Sequence, residues 1–119
     1  MAKQRINTIP PKRVQENARR ALMIRAKLPA SKKAMKDERG NDTTGVSTAR
    51  KLIGGRPLSV DTLRTMRAWF ARHDTPDERK NRRNDKTSKA YQSWEAWGGD
   101  AGRRWVESVM KRIERNEKD

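Results

Sequence analysis

The sequence predicts an all-α protein, a small bundle of about five helices with a helix-turn-helix-like central pair. Three observations carry this. Apolar residues recur at three- and four-residue spacings in successive stretches, and nowhere do they alternate as in a half-buried strand. Proline, glycine and serine signals for starting or stopping a helix fall between those stretches. At 119 residues, 32% hydrophobic and 38% charged, the chain has room for one lean core.

The boundaries follow in order. Residues 1–9 read as a basic arm. Pro10-Pro11 suit a helix start, where the missing amide is harmless. From Lys12 to Leu28, Val14, Ala18, Ala21, Ile24 and Leu28 make an inward stripe; Arg25 falls inside it and is expected to lay its stem along the core edge with its head in water. Pro29 ends that element. Residues 30–45 read as a polar loop in which Ala30 to Arg39 could form only a loosely held helix. Val46, Ala49, Leu52 and Ile53 then face inward on a short helix stopped by Gly54-Gly55.

The clearest element comes next. Ser59 is placed as an N-cap with Asp61 in the first turn, and Leu58 can staple the start. Leu63, Met66, Phe70 and His73 form its stripe, with Trp69 at the border. Residues 74–87 contain no apolar side chain and are expected to be a polar loop. Ser88 caps a helix through Trp97 with Tyr91 and Trp94 inward. Gly98-Gly99 break it, Asp100 caps the last helix, and Ala101, Trp105, Val109, Met110 and Ile113 line its buried side. One domain is therefore expected over 10–115, with a charged tail at 116–119.

The segment "YQSWEAWGGDAGRRW" gathers three of the four tryptophans. Trp94 and Trp105 are expected in the core, where a large aromatic side chain contributes up to about 3 kcal/mol. Trp97, beside the glycines, is open between core and a surface for base stacking. The glycines themselves read as a tight corner, with Gly102 allowing a close approach.

Charge gives the functional lead. The formal net charge is +15 and the pI about 11.1, which favours a polyanion as partner. Residues 1–60 hold 15 Lys/Arg against 4 Asp/Glu, whereas 61–119 hold 15 against 11. The expected contacts are to phosphates, from Arg20, Lys27, Lys32, Lys33, Arg50, Lys51, Arg56, Arg64, Arg67, Arg103, Arg104 and Lys111. In the helix-turn-helix-like pair, Arg64 and Arg67 lie on the second helix, where such residues can read guanine. DNA is the expected partner, with RNA, a capsid protein or a host protein as alternatives.

Groups for catalysis are few. There is no cysteine and one histidine, His73, for which only the poorly directed Asp74 is adjacent. Asp37, Glu38, Asp42, Asp61, Asp74, Asp77 and Glu78 alternate with basic residues rather than converging, and no phosphate-binding GxxxxGK[ST] loop occurs. No enzyme activity, cofactor or metal is expected. No apolar run is long enough to cross a membrane, and no signal-peptide core follows the basic start. That predicts a protein that stays where it is made or is carried into a particle.

Two linked segments, "ARKLIGGRPLSVDTLRTMRAWFARHD" and "AYQSWEAWGGDAGRRW", resemble a small domain encoded by tailed bacteriophages and prophages. Its double signature is ARxLxxGxxLSxxTxxxMxxWFARH and WGGDAGxxW, here kept at Ala49, Arg50, Leu52, Gly55, Leu58, Ser59, Thr62, Met66, Trp69, Phe70, Arg72 and His73, and at Trp97 to Gly102 with Trp105. The upstream "PPKRVQENARRALMIRAK" is also similar, so the resemblance covers roughly residues 10–106. The sequence departs at "KLPASKKAMKDERGNDTTG", where relatives have a shorter glycine-rich turn. The resemblance implies a phage protein, stand-alone or attached to virion or head-maturation proteins, and no catalytic set. The expectation is thus a non-enzymatic phage nucleic-acid-binding protein of the host cytoplasm or nucleoid. The alternatives are a head- or portal-associated virion protein, or an inhibitor seated in an acidic groove of a host nucleic-acid enzyme.

Overall fold

A computed structural model describes residues 5–118. Among them the chain is all-α, with helices α1 (Lys12–Ala26), α2 (Thr44–Gly54), α3 (Val60–His73), α4 (Pro76–Asn84), α5 (Lys89–Ala96) and α6 (Gly99–Lys118), and a single 3₁₀ turn at Ala30–Lys32. Helix α1 is central. Its buried face is small (Val14, Ala18 and Ala21), so α2, α5 and α6 can all pack on it closely. Helix α3 packs mainly on α6, and α4 on α5. No helix among the described residues is long and apolar enough to cross a membrane.

The one element that the sequence does not announce through its apolar pattern is α4, which occupies part of the 74–87 stretch expected to be loop. It buries nothing, so hydrophobic periodicity has nothing to report. Its signals are local and electrostatic. Thr75 caps the Glu78 amide, Pro76 opens the helix, Asp77 and Glu78 stand in the first turn, and Arg82 and Arg83 in the last. That order complements the helix dipole at both ends.

The 30–45 stretch is also more ordered than expected. Ala30 to Arg39 is not a helix: after the 3₁₀ turn the chain doubles back through a single antiparallel bridge between Lys36 and Asp42. Arg25 explains part of this order. Its head is not in water but donates from Nε to the Ala34 carbonyl (2.8 Å) and pairs with Asp42 through the guanidinium end. The Arg25 hydrogen bond and charge, with Lys36 adding to them, hold the Asp42 carboxyl below its usual range. Gln92, wholly buried, completes the tie: Oε1 accepts from the Ala34 amide (2.9 Å), while Nε2 donates to the Lys32 (3.0 Å) and Thr87 (2.9 Å) carbonyls. A polar residue buried with its hydrogen bonds made is stable there.

The ends of the chain differ from the expected arm and tail. Residues 1–4 lie outside the described residues, but Ile6 packs against the core and the Leu58 amide donates to the Thr8 carbonyl (3.0 Å). At the other end α6 continues to Lys118 through most of the expected tail.

The aromatic cluster is core, with one exchange of roles. Trp94 and Trp97 are buried, whereas Trp105 is only half-buried at the core margin and Val106 takes the central position. The cause lies at the corner. Gly98 and Gly99 both have positive φ (117° and 67°), and α6 begins at Gly99, so Asp100 is inside its first turn rather than at the cap. This turns Gly102 inward, where an added Cβ would lie 3.1 Å from the Trp97 carbonyl oxygen. Asp100 instead accepts the Trp94 indole N–H (2.9 Å). Asn17 of α1 secures the corner by donating to the Gly98 carbonyl (2.8 Å).

Candidate nucleic-acid interface

Helices α2 and α3 stand where the sequence places them, with Gly55 left-handed (φ 67°) and Ser59 accepting from the Thr62 amide (3.1 Å). The connection between them forms a basic concavity. Arg50, Lys51 and Arg56 line a groove of about 550 Å³ together with Ser59 and Thr62, and no carboxylate lines it. All three cations are exposed, and none makes an ion pair with a described residue. The Thr8–Leu58 hydrogen bond brings the N-terminal segment alongside this groove.

Arg64 and Arg67, expected beside them, are turned toward α6. Arg67 makes a two-pronged contact with Glu114 (2.9 and 3.2 Å), and Arg64 lies within ion-pair distance of Glu117 (3.6 Å) and Asp61 (3.7 Å). The Glu114 carboxyl is lowered by its hydrogen bond from Arg67, and the Arg67 guanidinium is raised by the same contact. The two helices of the central pair thus have different principal neighbours, α1 and α5 for α2 but α6 for α3.

A second basic region runs along α6. Arg103, Arg104 and Lys111 share a shallow groove with Glu107, and Arg103 and Arg104 also border a cleft of about 620 Å³ with Arg79 and Arg83 of α4. Arg79 and Arg103 both bond to Asp74 (3.4 and 3.2 Å), so this region is less purely cationic than the α2–α3 groove. The α4 cations are missed when apolar spacing alone defines helices; the Thr75-Pro76-Asp77-Glu78 start is the signal that could have found them.

The remaining candidates separate. Lys27 and Lys32 are exposed. Lys33 donates from Nζ to the Arg25 (2.8 Å) and Ala26 (3.3 Å) carbonyls and so caps the C-terminus of α1. Arg20 bonds to Asn17 (2.7 Å) and stands 3.6 Å from Glu95, whose Oε2 is buried with no hydrogen bond. Burial raises the Glu95 carboxyl, with Arg20 opposing. The folded protein therefore holds that proton more tightly than the unfolded chain. Its stability contribution is undiminished below the unfolded value near 4.5 and declines as pH rises through the folded one. Glu95→Gln is accordingly expected to raise the melting temperature at pH 7 and leave it unchanged at pH 4, checked by thermal denaturation at both.

His73 is engaged by Glu78, not Asp74: Nδ1 is 3.0 Å from Glu78 Oε1, and the ring stacks on Trp69 at 4.4 Å. The carboxylates do not converge either. Asp42 serves Arg25 and Lys36, Asp74 serves Arg79 and Arg103, and no cluster of three metal-ligating side chains occurs among the described residues. No family model matches the chain, and no curated protein or solved structure matches it either.

Proposed function

We propose that the protein binds nucleic acid, DNA foremost, through backbone phosphates, with the α2–α3 groove as the primary contact and the α4–α6 region as a secondary one. The observation that supports this most is the convergence of Arg50, Lys51 and Arg56 in a concavity without a carboxylate. Guanidinium groups bind phosphate oxygens with paired donors, and the Thr62 hydroxyl, which accepts from Ser59, keeps its own proton for the same acceptor. Arg64 and Arg67 of α3 already face carboxylates of α6, so α3 contributes position rather than base reading. In this reading no base is recognised and no bond is made or broken. The resemblance to phage domains supports a setting in the infected cell, in the host cytoplasm or on the nucleoid.

Resonance mapping tests it. Titration of a short duplex into isotopically labelled protein should perturb the backbone amides of 50–62 first and those around Arg103 to Lys111 second. Perturbation confined to other surfaces would count against the assignment.

A further inference from the structure

The opposite end of α2 opens on a different cavity. With 11 residues, α2 separates its two ends by roughly 16 Å at 1.5 Å per residue. Its N-terminal residues Thr43, Thr44 and Gly45 line a cleft of about 550 Å³ that α3, α4 and α5 close on the other sides. Three features of that cleft belong together.

Helix α2 begins without a side-chain cap. Thr43 stands at the N-cap position, yet its hydroxyl bonds to no helix amide, and the Thr44 and Gly45 amides have no acceptor among the described residues. An uncapped N-terminus carries partial positive charge and donors aimed outward. Ser59, Thr75 and Ser88 cap the starts of α3, α4 and α5.

The second feature is an indole. Trp97 is 3% exposed and held by stacking on Trp69 at 4.9 Å and 13°. Its Nε1–H has no acceptor among the described residues, in contrast to Trp94, whose N–H is taken by Asp100. Trp97 Nε1 points at the start of α2, since a Cβ on Gly45 would lie 3.2 Å from it. It is not sealed in, because Glu95 Oε2 is the one wholly buried side-chain polar atom without a partner among the described residues. A donor that opens on a cleft and has no protein acceptor is free for a group that enters it.

The third feature is charge. Arg72 and Lys89 are exposed on the cleft's walls without an ion pair to a described residue, and Arg82 lies across Trp94 with its guanidinium carbon 3.8 Å from the ring centre. The single carboxylate on the lining, Glu78, is taken up by His73 and by the Thr75 hydroxyl, which donates to its Oε2.

The geometry points to a phosphate-type oxyanion site in this cleft, with the Thr44 and Gly45 amides and the Trp97 indole N–H as donors and Arg72, Lys89 and Arg82 as the surrounding charge. Gly45 is required for it, because a side chain there would meet both the indole nitrogen and Met35 Sδ, the latter at 2.7 Å. The ligand is a phosphate group, either free or at the end of a polynucleotide strand. The site is separate from the α2–α3 groove and stands whether or not that groove binds duplex.

The experiment uses the full chain with inorganic phosphate as probe, ionic strength being held with sodium chloride, and reads the Trp97 indole and Gly45 amide resonances. Both should move saturably with phosphate and not with chloride. Arg72→Gln with Lys89→Gln, at exposed positions outside the core, should weaken the response about tenfold. Arg50→Gln, Lys51→Gln and Arg56→Gln together should leave it unchanged. Gly45→Ala should abolish it, with the Arg72/Lys89 pair as the informative variant if α2 is disturbed. A 5′-phosphorylated tetranucleotide that binds more tightly than phosphate while its 5′-hydroxyl counterpart does not identifies a strand end as the source. Equal binding of phosphate and phosphorylated oligonucleotide identifies the free anion. No saturable movement, movement reproduced by chloride, or indifference to the Arg72/Lys89 change overturns the site.

Discussion

Trp94→Ala is expected to destabilise the protein by about 3 to 5 kcal/mol, the range for truncating a buried large aromatic. Trp94 is 3% exposed and packs on two other rings of the aromatic core, edge-on to Phe70 at 4.9 Å and tilted against Trp69 at 6.0 Å. Two polar groups depend on it as well. Asp100 accepts its N–H, and Arg82 rests on its face, half-buried, with burial lowering the affinity of that guanidinium for its proton. Removing the ring leaves a cavity, an unpaired carboxylate in the first turn of α6 and a cation with no surface to cover. Trp105→Ala, at the half-buried margin, should cost only about 1 to 2 kcal/mol. Chemical denaturation of both variants checks the pair; equal losses would reject the assignment of Trp94 as centre and Trp105 as edge.

Reversing Arg50, Lys51 and Arg56 to glutamate should lower affinity for duplex DNA more than a hundredfold near 50 mM salt while leaving helicity unchanged. The size follows from counterion release. Each phosphate that is no longer neutralised takes about 0.9 off the slope of log affinity against log salt, so three of them remove roughly 3. Folding should survive because none of the three has a described carboxylate partner. Arg64→Glu with Arg67→Glu is the contrasting pair. It sets like charges against Glu114 and Glu117, so its first effect should be a loosened α3–α6 contact and a lower melting temperature. Both triplet and pair are measured by fluorescence anisotropy on labelled duplex beside circular dichroism.

Five of the six helices are legible in the sequence because their information is local. Leu63, Met66 and Phe70 keep strict helical spacing behind a serine cap, and Gly55 and Gly98 sit where a left-handed or otherwise positive φ is needed. Helix α4 carries no apolar spacing at all, so only its charge order betrays it. The α6 stripe sits one residue away from its expected start: Trp105 is bulkier than Val106, but the two-glycine corner, not side-chain size, decides which way the helix faces. Arg50, Lys51 and Arg56 are legible as a group because a short run of chain holds them together. Nothing local could tell that Arg67 would find Glu114 47 residues away, or that Lys33 would cap α1. Gln92 is equally hidden, since its three partners come from the connection between α1 and α2 and from the turn before α5.

The most direct measurement of phosphate binding by this protein is the affinity of the intact chain for a short duplex between 50 and 200 mM salt. Engagement of about six phosphates predicts a fall of roughly a thousandfold over that interval, nearly independent of sequence. An affinity that hardly changes with salt, or that depends on base sequence rather than ionic strength, would contradict it.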